Sequence, residues 1–444
     1  MAKTCQTYSR GNASESSSCN GSNFSSPGLV RFPCGVALLA SFFLFCLFPG
    51  VSDAQGRDVV CRDGAGDFET EFSTGVVVRV GPAKNGELET RVCEAAFRWG
   101  DQNLVIADAA TVLDMDAFGV DLGMGAPAAA LQVKKSKSDC CVEYKIYSLR
   151  APPVLLRTLT GGEFFSAADT DLDGRVEIWT NDAAAVEGFE NFRLSDLDFA
   201  PPVVLRFERG RLLDASFEFQ KSFDQKIAAV RAKLDLADLA DFKGSDGKLA
   251  PAAGFPAVRL SRMRHAKARV LEIVWSYLYS GREKEAWNAL AAMWPAGDLE
   301  RIRTALLVAR AHGIRAQTDG VSIPVPAGHE AHAKIFDGTV SVAALPELAP
   351  KHLAPKQEIT PPKAILIERP APMTADEMEV AQSESTLELV IDSAGKVRSV
   401  EALGDAQRTD AALLSSTSNW KFIPAFSGGQ PVASRILLGV TLRR

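Results

Sequence analysis

The chain has 444 residues, of which 46% are hydrophobic and 23% are charged, and its formal net charge is -6 at pH 7. This composition is typical of folded globular protein, and the length exceeds what one hydrophobic core usually spans, so about two or three domains are expected. The negative net charge, together with the lack of a Lys/Arg stripe interleaved with aromatic residues, argues against a nucleic-acid partner.

A signal peptide or signal anchor is predicted for residues 1–54. The beginning is rich in Ser, Asn and Gly without periodicity, which indicates disorder. The uncharged apolar run at 36–48 has the length of a signal-peptide core, and small residues before Gln55 suit cleavage there. The wider stretch 32–51 approaches a membrane-spanning length, so a cleaved signal and an uncleaved inner-membrane anchor both stay open. In either case the rest of the chain is expected outside the cytoplasm.

Export places Cys61, Cys93, Cys140 and Cys141 in an oxidising compartment. Their even number permits disulfides in more than one connectivity. Because Cys140 and Cys141 are adjacent, we expect them to reach Cys61 and Cys93 rather than each other. A metal cluster and buried thiols are the alternatives, although spacing such as Cys-x-x-Cys is absent.

Residues 56–215 are predicted to form a β-rich domain. Two β-prone runs at 74–80 and 87–97 flank an Asn-Gly pair, which is typical of a hairpin turn. Further short strands are expected at 141–149, 153–159 and 175–180. Short strands separated by turn residues indicate a propeller-blade or sandwich-like arrangement.

Alternating carboxylates occupy the turn between two of these predicted strands. The pattern consists of Asp169, Asp171 and Asp173, then a glycine, then Glu177 at the ninth position. The backbone carbonyl of Arg175 would fill the seventh position. Oxygen ligands that converge from one tight loop are what a hard cation such as Ca²⁺ requires.

An EF-hand is excluded for this loop, because Thr180 stands where the twelfth-position Glu is required and the flanks are predicted strands. The loop instead resembles the Ca²⁺ loops of FG-GAP and related propeller repeats, over the loop and its strands only. The resemblance implies a bound Ca²⁺ with a structural role, and a metal-free Asp/Gly turn is the alternative. The stretch Asp114-Met-Asp-Ala-Phe-Gly119 is similar to a degenerate copy that lacks the third carboxylate.

Residues 216–320 are predicted to be helical. Apolar residues repeat at spacings of three and four, at Phe223, Ile227, Val230 and Leu234. A second block at 259–314 contains an αα-hairpin that breaks at Ser280-Gly281, and Asp298 is expected to cap a third helix. A tetratricopeptide-like partner groove and a plain helical bundle are both open for this region.

Prolines are dense at 321–372 and predict an extended linker. At about 3.1 Å per residue in polyproline II, the proline-dense stretch from Pro346 to Pro372 would hold the last domain roughly 80 Å from the helical one. The apolar stretch Lys363-Ala-Ile-Leu-Ile-Glu368 within it predicts one extra strand.

The last domain, residues 373–444, shows the predicted order strand, strand, helix, strand. β-prone runs at 386–391 and 397–403 flank a turn in which Gly395 can take positive φ, so a hairpin is predicted. A helical period follows at 405–418, and a final strand is predicted at 431–442.

This pattern is similar to the C-terminal domain of energy-transducer TonB family proteins. The resemblance is carried by Asp392, Gly395, Val397, Ala411, Ala412, Trp420, Phe422, Pro424, Ala425, Gly429, Pro431 and Val432. It implies a ββαβ domain in the periplasm that binds an envelope or outer-membrane protein, commonly by strand addition at a sheet edge. Trp420, Phe422, Pro424, Gly429 and Pro431 are then domain-signature or partner-binding candidates. Motor-coupled members carry a Ser/His motif on the anchor helix, and residues 36–48 contain no histidine, so energy transduction is not implied.

The sequence therefore predicts an α+β multidomain, non-enzymatic periplasmic protein whose TonB-like domain binds a membrane or envelope partner, a class that the resemblance links to transmembrane transport. The alternative is a soluble exported scaffold or sensor, stabilised by Ca²⁺, that binds proteins through its helical region. A hydrolase in the β region has only the clustered carboxylates in its favour. His329-Glu-Ala-His332 is spaced one residue short of a helical zinc pair.

Overall fold

The computed structural model describes residues 60–83, 92–137, 140–249, 256–322, 336–341, 359–366, 385–403 and 411–440. Over these ranges the chain is mixed α+β, with several antiparallel sheets and seven α-helices. No helix in the described ranges has the length and apolar character that crossing a membrane requires. The predicted signal or anchor segment lies outside the described residues.

The N-terminal part of the chain is β-rich, as the sequence predicts. One sheet has the order β2-β3-β4-β5, with strands Phe68–Glu71, Val77–Pro82, Cys93–Trp99 and Gln102–Ala110. Another has the order β1-β6-β7-β8-β9, with strands Cys61–Arg62, Val112–Val120, Ala128–Lys134, Val142–Ser148 and Val154–Gly162. Buried residues of both sheets, among them Val78, Phe97 and Leu131, share one hydrophobic cluster.

A third sheet carries the acidic loop. Its order is β10-β11-β12-β13-β14, with strands Phe165–Ala168, Glu177–Asn181, Pro202–Glu208, Arg211–Asp214 and Gly320–Val321. The first four strands pair antiparallel, and β14 joins in parallel. The strands predicted at 141–149, 153–159 and 175–180 are confirmed as β8, β9 and β11.

The helices pack on this third sheet. They are α1 Ala183–Val186, α2 Gln220–Lys233, α3 Leu236–Lys243, α4 Ala257–Tyr279, α5 Glu283–Met293 and α6 Leu299–His312. The predicted apolar face of α2 is confirmed, because Phe223, Ile227 and Val230 are buried. Asp298 stands at the N-cap of α6, but its carboxylate accepts from the Trp294 and Arg301 side chains rather than capping the helix backbone.

The C-terminal module consists of the described residues from 336 onward. Its elements are β15 Phe336–Ser341, β16 Ile359–Thr360, β17 Lys363–Leu366, β18 Ser385–Ile391, β19 Val397–Leu403, α7 Ala411–Thr417, β20 Lys421–Ile423, β21 Ala425–Ser427, β22 Gln430–Val432 and β23 Ser434–Val440. The main sheet has the order β15-β23-β18-β19.

The hairpin of β18 and β19 is confirmed, and Gly395 at its turn has φ +80°. A Cβ there would lie 1.9 Å from the Phe422 carbonyl oxygen, so the turn requires glycine.

The described parts of the Pro-rich stretch belong to this module. β15 pairs in parallel with β23, β16 pairs with β21, and β17 pairs with β20. The extra strand predicted within 363–368 is thus present as Lys363–Leu366. An extended spacer does not describe these residues, because their backbone groups are paired with other strands.

The C-terminal module lies directly against the rest of the fold. Ile423 is buried in the hydrophobic cluster of the N-terminal sheets, and Phe426 and Ile365 pack against that cluster. Ala394 is buried in the cluster that the helices share with the third sheet. The predicted separation of the last domain from the helical one is therefore wrong, because apolar residues of the module complete cores elsewhere in the chain.

Cys61, Cys93, Cys140 and Cys141 form two disulfides, but not in the predicted pairing. Cys61 on β1 bonds to Cys93 on β4, with their Cα atoms 6.0 Å apart. Cys140 bonds to its neighbour Cys141. The predicted pairing is wrong because the packing of the two N-terminal sheets, which the spacing of the cysteines does not reveal, brings β1 and β4 together.

Candidate metal centre

The acidic loop is the turn of the hairpin formed by β10 and β11. Ala168 pairs with Glu177, so the strands fix both ends of the loop. The Gly174 N–H donates to Asp169 Oδ2 at 3.0 Å, and the Thr170 N–H donates to Glu177 Oε2 at 2.9 Å. The two end carboxylates thus organise the loop backbone, each with one of its two oxygens. The strand flanks also confirm that the loop is not an EF-hand.

Three of the predicted ligands converge. Asp169, Asp171 and Glu177 each offer a carboxylate oxygen, and these oxygens all lie within 4.8 Å of one another. Asp169 and Glu177 are fully buried, and Asp171 is exposed. Asp169 Oδ1 and Glu177 Oε1 are buried and receive no hydrogen bond. A buried acceptor without a donor is costly, and a cation between these oxygens would satisfy both.

The other two predicted ligands are engaged with each other. The Asp173 carboxylate accepts from the Arg175 N–H at 2.8 Å and from Arg175 Nε at 2.5 Å. The guanidinium of Arg175 therefore neutralises Asp173, which stands outside the three-carboxylate cluster. The sequence suggested Arg175 for its backbone carbonyl, whereas the structure shows its side chain closing the loop.

Burial dominates the electrostatics of the centre. It raises the pKa of Glu177 to about 8, and the charges of Asp171 and Asp173 act in the same direction. Burial likewise raises the pKa of Asp169, although hydrogen bonds from Ser393 and Gly174 oppose the shift. These carboxyls therefore resist ionisation unless a positive charge lies beside them.

Arg206 is the nearest fixed cation to Glu177. Its Nη1 lies 3.7 Å from Glu177 Oε1, too far for a hydrogen bond. The same buried guanidinium donates to Glu208 at 2.9 Å and to Glu218 at 2.7 Å. Its charge is therefore shared among three carboxylates and compensates Glu177 only in part.

The turn of the C-terminal hairpin covers the centre, which the sequence did not predict. Ser393 Oγ donates to Asp169 Oδ2 at 2.7 Å, and the Asp169 N–H donates to Asp392 Oδ2 at 3.2 Å. Asp392 is fully buried, and burial raises its pKa to about 7. No sequence pattern could reveal these contacts, because more than 220 residues separate the partners.

Asp114 and Asp116 do not form a second loop, so the predicted degenerate copy is wrong. Both lie within strand β6 and are buried. Lys421 Nζ lies 2.9 Å from Asp114 Oδ1, and Lys396 Nζ lies 2.6 Å from Asp116 Oδ1. Lysines of the C-terminal module thus supply the positive charge. The alternation of Leu113, Met115 and Ala117 with these carboxylates was the sequence signal for a strand.

The predicted signature residues of the last domain serve mainly in packing. Trp420 and Phe422 are buried in the core of the C-terminal module with Leu387 and Leu389. Pro424 is buried, whereas Gly429 lies in an exposed turn and Pro431 is half-buried on β22. The pair His329 and His332 lies outside the described residues.

Comparison of the chain with family models, curated proteins and solved structures gives no match. The type of ion that the centre could hold is therefore inferred from its side chains alone. Its three converging groups are all carboxylates, without nitrogen or sulfur donors. Such a donor set suits hard cations such as Ca²⁺ and Mg²⁺ rather than zinc or copper.

Proposed function

We propose that this protein is a non-enzymatic, Ca²⁺-binding protein that acts outside the cytoplasm and presents its C-terminal module to an envelope partner. The observation that carries the Ca²⁺ assignment is the pair of buried oxygens, Asp169 Oδ1 and Glu177 Oε1, that no donor reaches. A bound cation gives both oxygens a partner and allows both carboxyls to ionise.

Ca²⁺ is favoured over Mg²⁺ by the shape of the site. Mg²⁺ requires near-ideal octahedral geometry and usually keeps several waters, whereas Ca²⁺ accepts irregular sets of protein oxygens. Here two ligands are buried at the ends of one loop, and only Asp171 faces solvent. The enclosed arrangement, reminiscent in sequence of FG-GAP loops, supports a structural ion rather than one that activates a substrate.

Calcium titration of the purified full chain after chelator treatment tests the assignment. We expect one Ca²⁺ per chain by isothermal titration calorimetry, and a stability gain of about 2.7 kcal/mol at a hundredfold excess over Kd. Asp171→Asn should weaken binding by about tenfold or more, because it removes one ligand charge. Asp171 is exposed, so this variant should fold.

Asp246→Asn is the matched control. Asp246 also lies in an exposed turn, where its carboxylate accepts from the Lys248 and Leu249 N–H groups, but it belongs to no carboxylate cluster in the described residues. This variant should bind Ca²⁺ like the parent protein. Equal binding by Asp171→Asn and the parent would place the ion elsewhere, and absence of binding would refute the proposal.

Partner binding through the C-terminal module is the second part of the proposal. Strand β19 stands at one end of the module's main sheet, and no strand in the described ranges pairs with its outer edge. Arg398, Ser399 and Glu401 on this strand are exposed. Such an edge offers backbone donors and acceptors for strand addition, the mode that the TonB resemblance implies. Replacing the exposed Ser399 with Pro should disrupt strand addition at this edge and abolish capture of an envelope partner without loss of Ca²⁺ binding.

A further inference from the structure

Asp169 belongs to the acidic centre and also forms two hydrogen bonds with the C-terminal module. Its Oδ2 accepts from Ser393 Oγ at 2.7 Å, and its backbone N–H donates to Asp392. Next to it, the Thr170 carbonyl accepts from Arg398 Nη2 at 3.1 Å. All three module residues belong to the turn of the hairpin of β18 and β19 or to the first residues after it, so this turn rests on the loop itself.

The two carboxylate oxygens of Asp169 have different surroundings. Oδ2 is satisfied by Ser393 and by the Gly174 N–H, whereas Oδ1 has no donor and belongs to the cluster with Asp171 and Glu177. A cation that binds through the cluster fixes the orientation of the same carboxylate on which Ser393 docks. Ion binding and docking therefore depend on one side-chain position.

Docking also changes the charge around the centre. It places the buried carboxyl of Asp392 against the Asp169 backbone, next to a loop that already carries four carboxylates. Lys396, on the same turn, forms an ion pair with Asp116, with its Nζ 2.6 Å from Asp116 Oδ1. Docking also brings the Arg398 guanidinium to the loop. A divalent ion bound at the centre would be attracted both by the loop carboxylates and by the nearby Asp392 carboxyl when it is ionised.

We propose that Ca²⁺ at the acidic centre acts as a latch that holds the C-terminal module on the loop of β10 and β11. This inference rests on the Ca²⁺ binding proposed above. Because coupling between two binding events is reciprocal, the ion strengthens docking by the same factor by which docking strengthens ion binding. Loss of the ion would loosen the turn of β18 and β19 from the loop, while Lys421 and Lys396 still hold the module on strand β6.

Hydrogen exchange of the full chain, followed by mass spectrometry with excess CaCl₂ or with chelator, tests the latch. We expect exchange in peptides covering 385–403 to slow by about tenfold or more with Ca²⁺, within the usual range of coupling between sites. Exchange in peptides from α4, which does not contact the loop by any described hydrogen bond, should change much less. An equal change in α4 would mean general stabilisation and would overturn the latch.

Ser393→Ala separates the latch from ion binding alone. It removes the hydroxyl that docks on Asp169 Oδ2 but leaves Oδ1, Asp171 and Glu177 in place. Its Ca²⁺ affinity should fall several-fold, with a matching loss of Ca²⁺-dependent protection in 385–403. The control is Ser399→Ala, on the exposed face of β19, which should behave like the parent.

The outcomes distinguish this inference from the proposed function. If the parent binds Ca²⁺ but Ser393→Ala binds it equally well and 385–403 exchanges alike in both conditions, the latch is wrong and the Ca²⁺ site stands. If the parent binds no Ca²⁺, the proposed Ca²⁺ function fails and the latch fails with it.

Discussion

Two acidic stretches of this chain have similar sequences, but the fold gives their carboxylates different partners. In the loop Asp169–Glu177, the buried carboxylates converge on one another and two of their oxygens lack a donor. In strand β6, Asp114 and Asp116 are equally buried, but Lys421 and Lys396 neutralise them. The strand carboxylates are therefore paired with lysines of the chain, whereas the loop carboxylates are those for which we propose a cation from solution.

The C-terminal module takes part in both arrangements. It provides both lysines for β6 and places Asp392 and Ser393 against the loop. The lysine contacts need no added ion, whereas the proposed latch adds a cation to the contact at the loop. Under that proposal, the module is held by two ion pairs and by one contact that depends on the calcium concentration.

The largest effect is expected for Lys421→Met. This change leaves Asp114 buried without its cation, and breaking a buried ion pair typically destabilises by about 3–5 kcal/mol. Urea denaturation with chelator present should show the loss, and the difference in stability between this variant and the parent should persist when both are saturated with Ca²⁺. The control is Lys363→Met on the exposed side of β17, which should change stability by less than about 0.5 kcal/mol. Disappearance of this difference in Ca²⁺ would contradict the distinction between the two acidic stretches.

An intermediate effect is expected from pH. The pKa of Glu177 is about 8 in the folded protein and 4.5 for the unperturbed group. The folded state therefore holds this proton more tightly, so its stabilising contribution is complete below about pH 4.5 and disappears as the pH rises through about 8. In chelator, stability should fall across this window by at most about 1.4 kcal/mol per pH unit from this group.

Saturating Ca²⁺ should flatten that decline, because the ion binds the deprotonated carboxylate. Denaturation curves measured across the window, with chelator and with Ca²⁺, check the prediction. Glu177→Gln, which cannot titrate, is the control and should show a shallower slope in chelator. An unchanged slope in Glu177→Gln would mean that other groups cause the pH dependence.

The smallest effect is expected for Lys396→Met. Asp116 loses this lysine but keeps hydrogen bonds from the Tyr144 hydroxyl and the Ala167 N–H, both at 2.6 Å. We expect a loss of about 1–2 kcal/mol, less than for Lys421→Met, because hydrogen bonds to the charged group remain. A loss as large as that of Lys421→Met would show that the lysines, rather than the strand environment, control both aspartates.

The sequence predicted the local parts of this account and missed the long-range parts. Alternating carboxylates and Gly174 indicate a tight oxygen-rich turn, and Gly395 marks the hairpin turn, because both depend on residues a few positions apart. Neighbouring residues carry no information on which lysine meets Asp114 or which serine meets Asp169. Those contacts, and the pairing of Cys61 with Cys93, follow from the packing of sheets that are distant in sequence.

Calcium binding at the acidic loop is tested most directly by a crystal structure of the full chain grown with CaCl₂. We expect one strong density peak at about 2.3–2.6 Å from Asp169 Oδ1, Glu177 Oε1 and an Asp171 oxygen, with the turn at Ser393 still docked on Asp169. A cluster without a peak at saturating Ca²⁺, or a calcium ion bound only elsewhere, would contradict it.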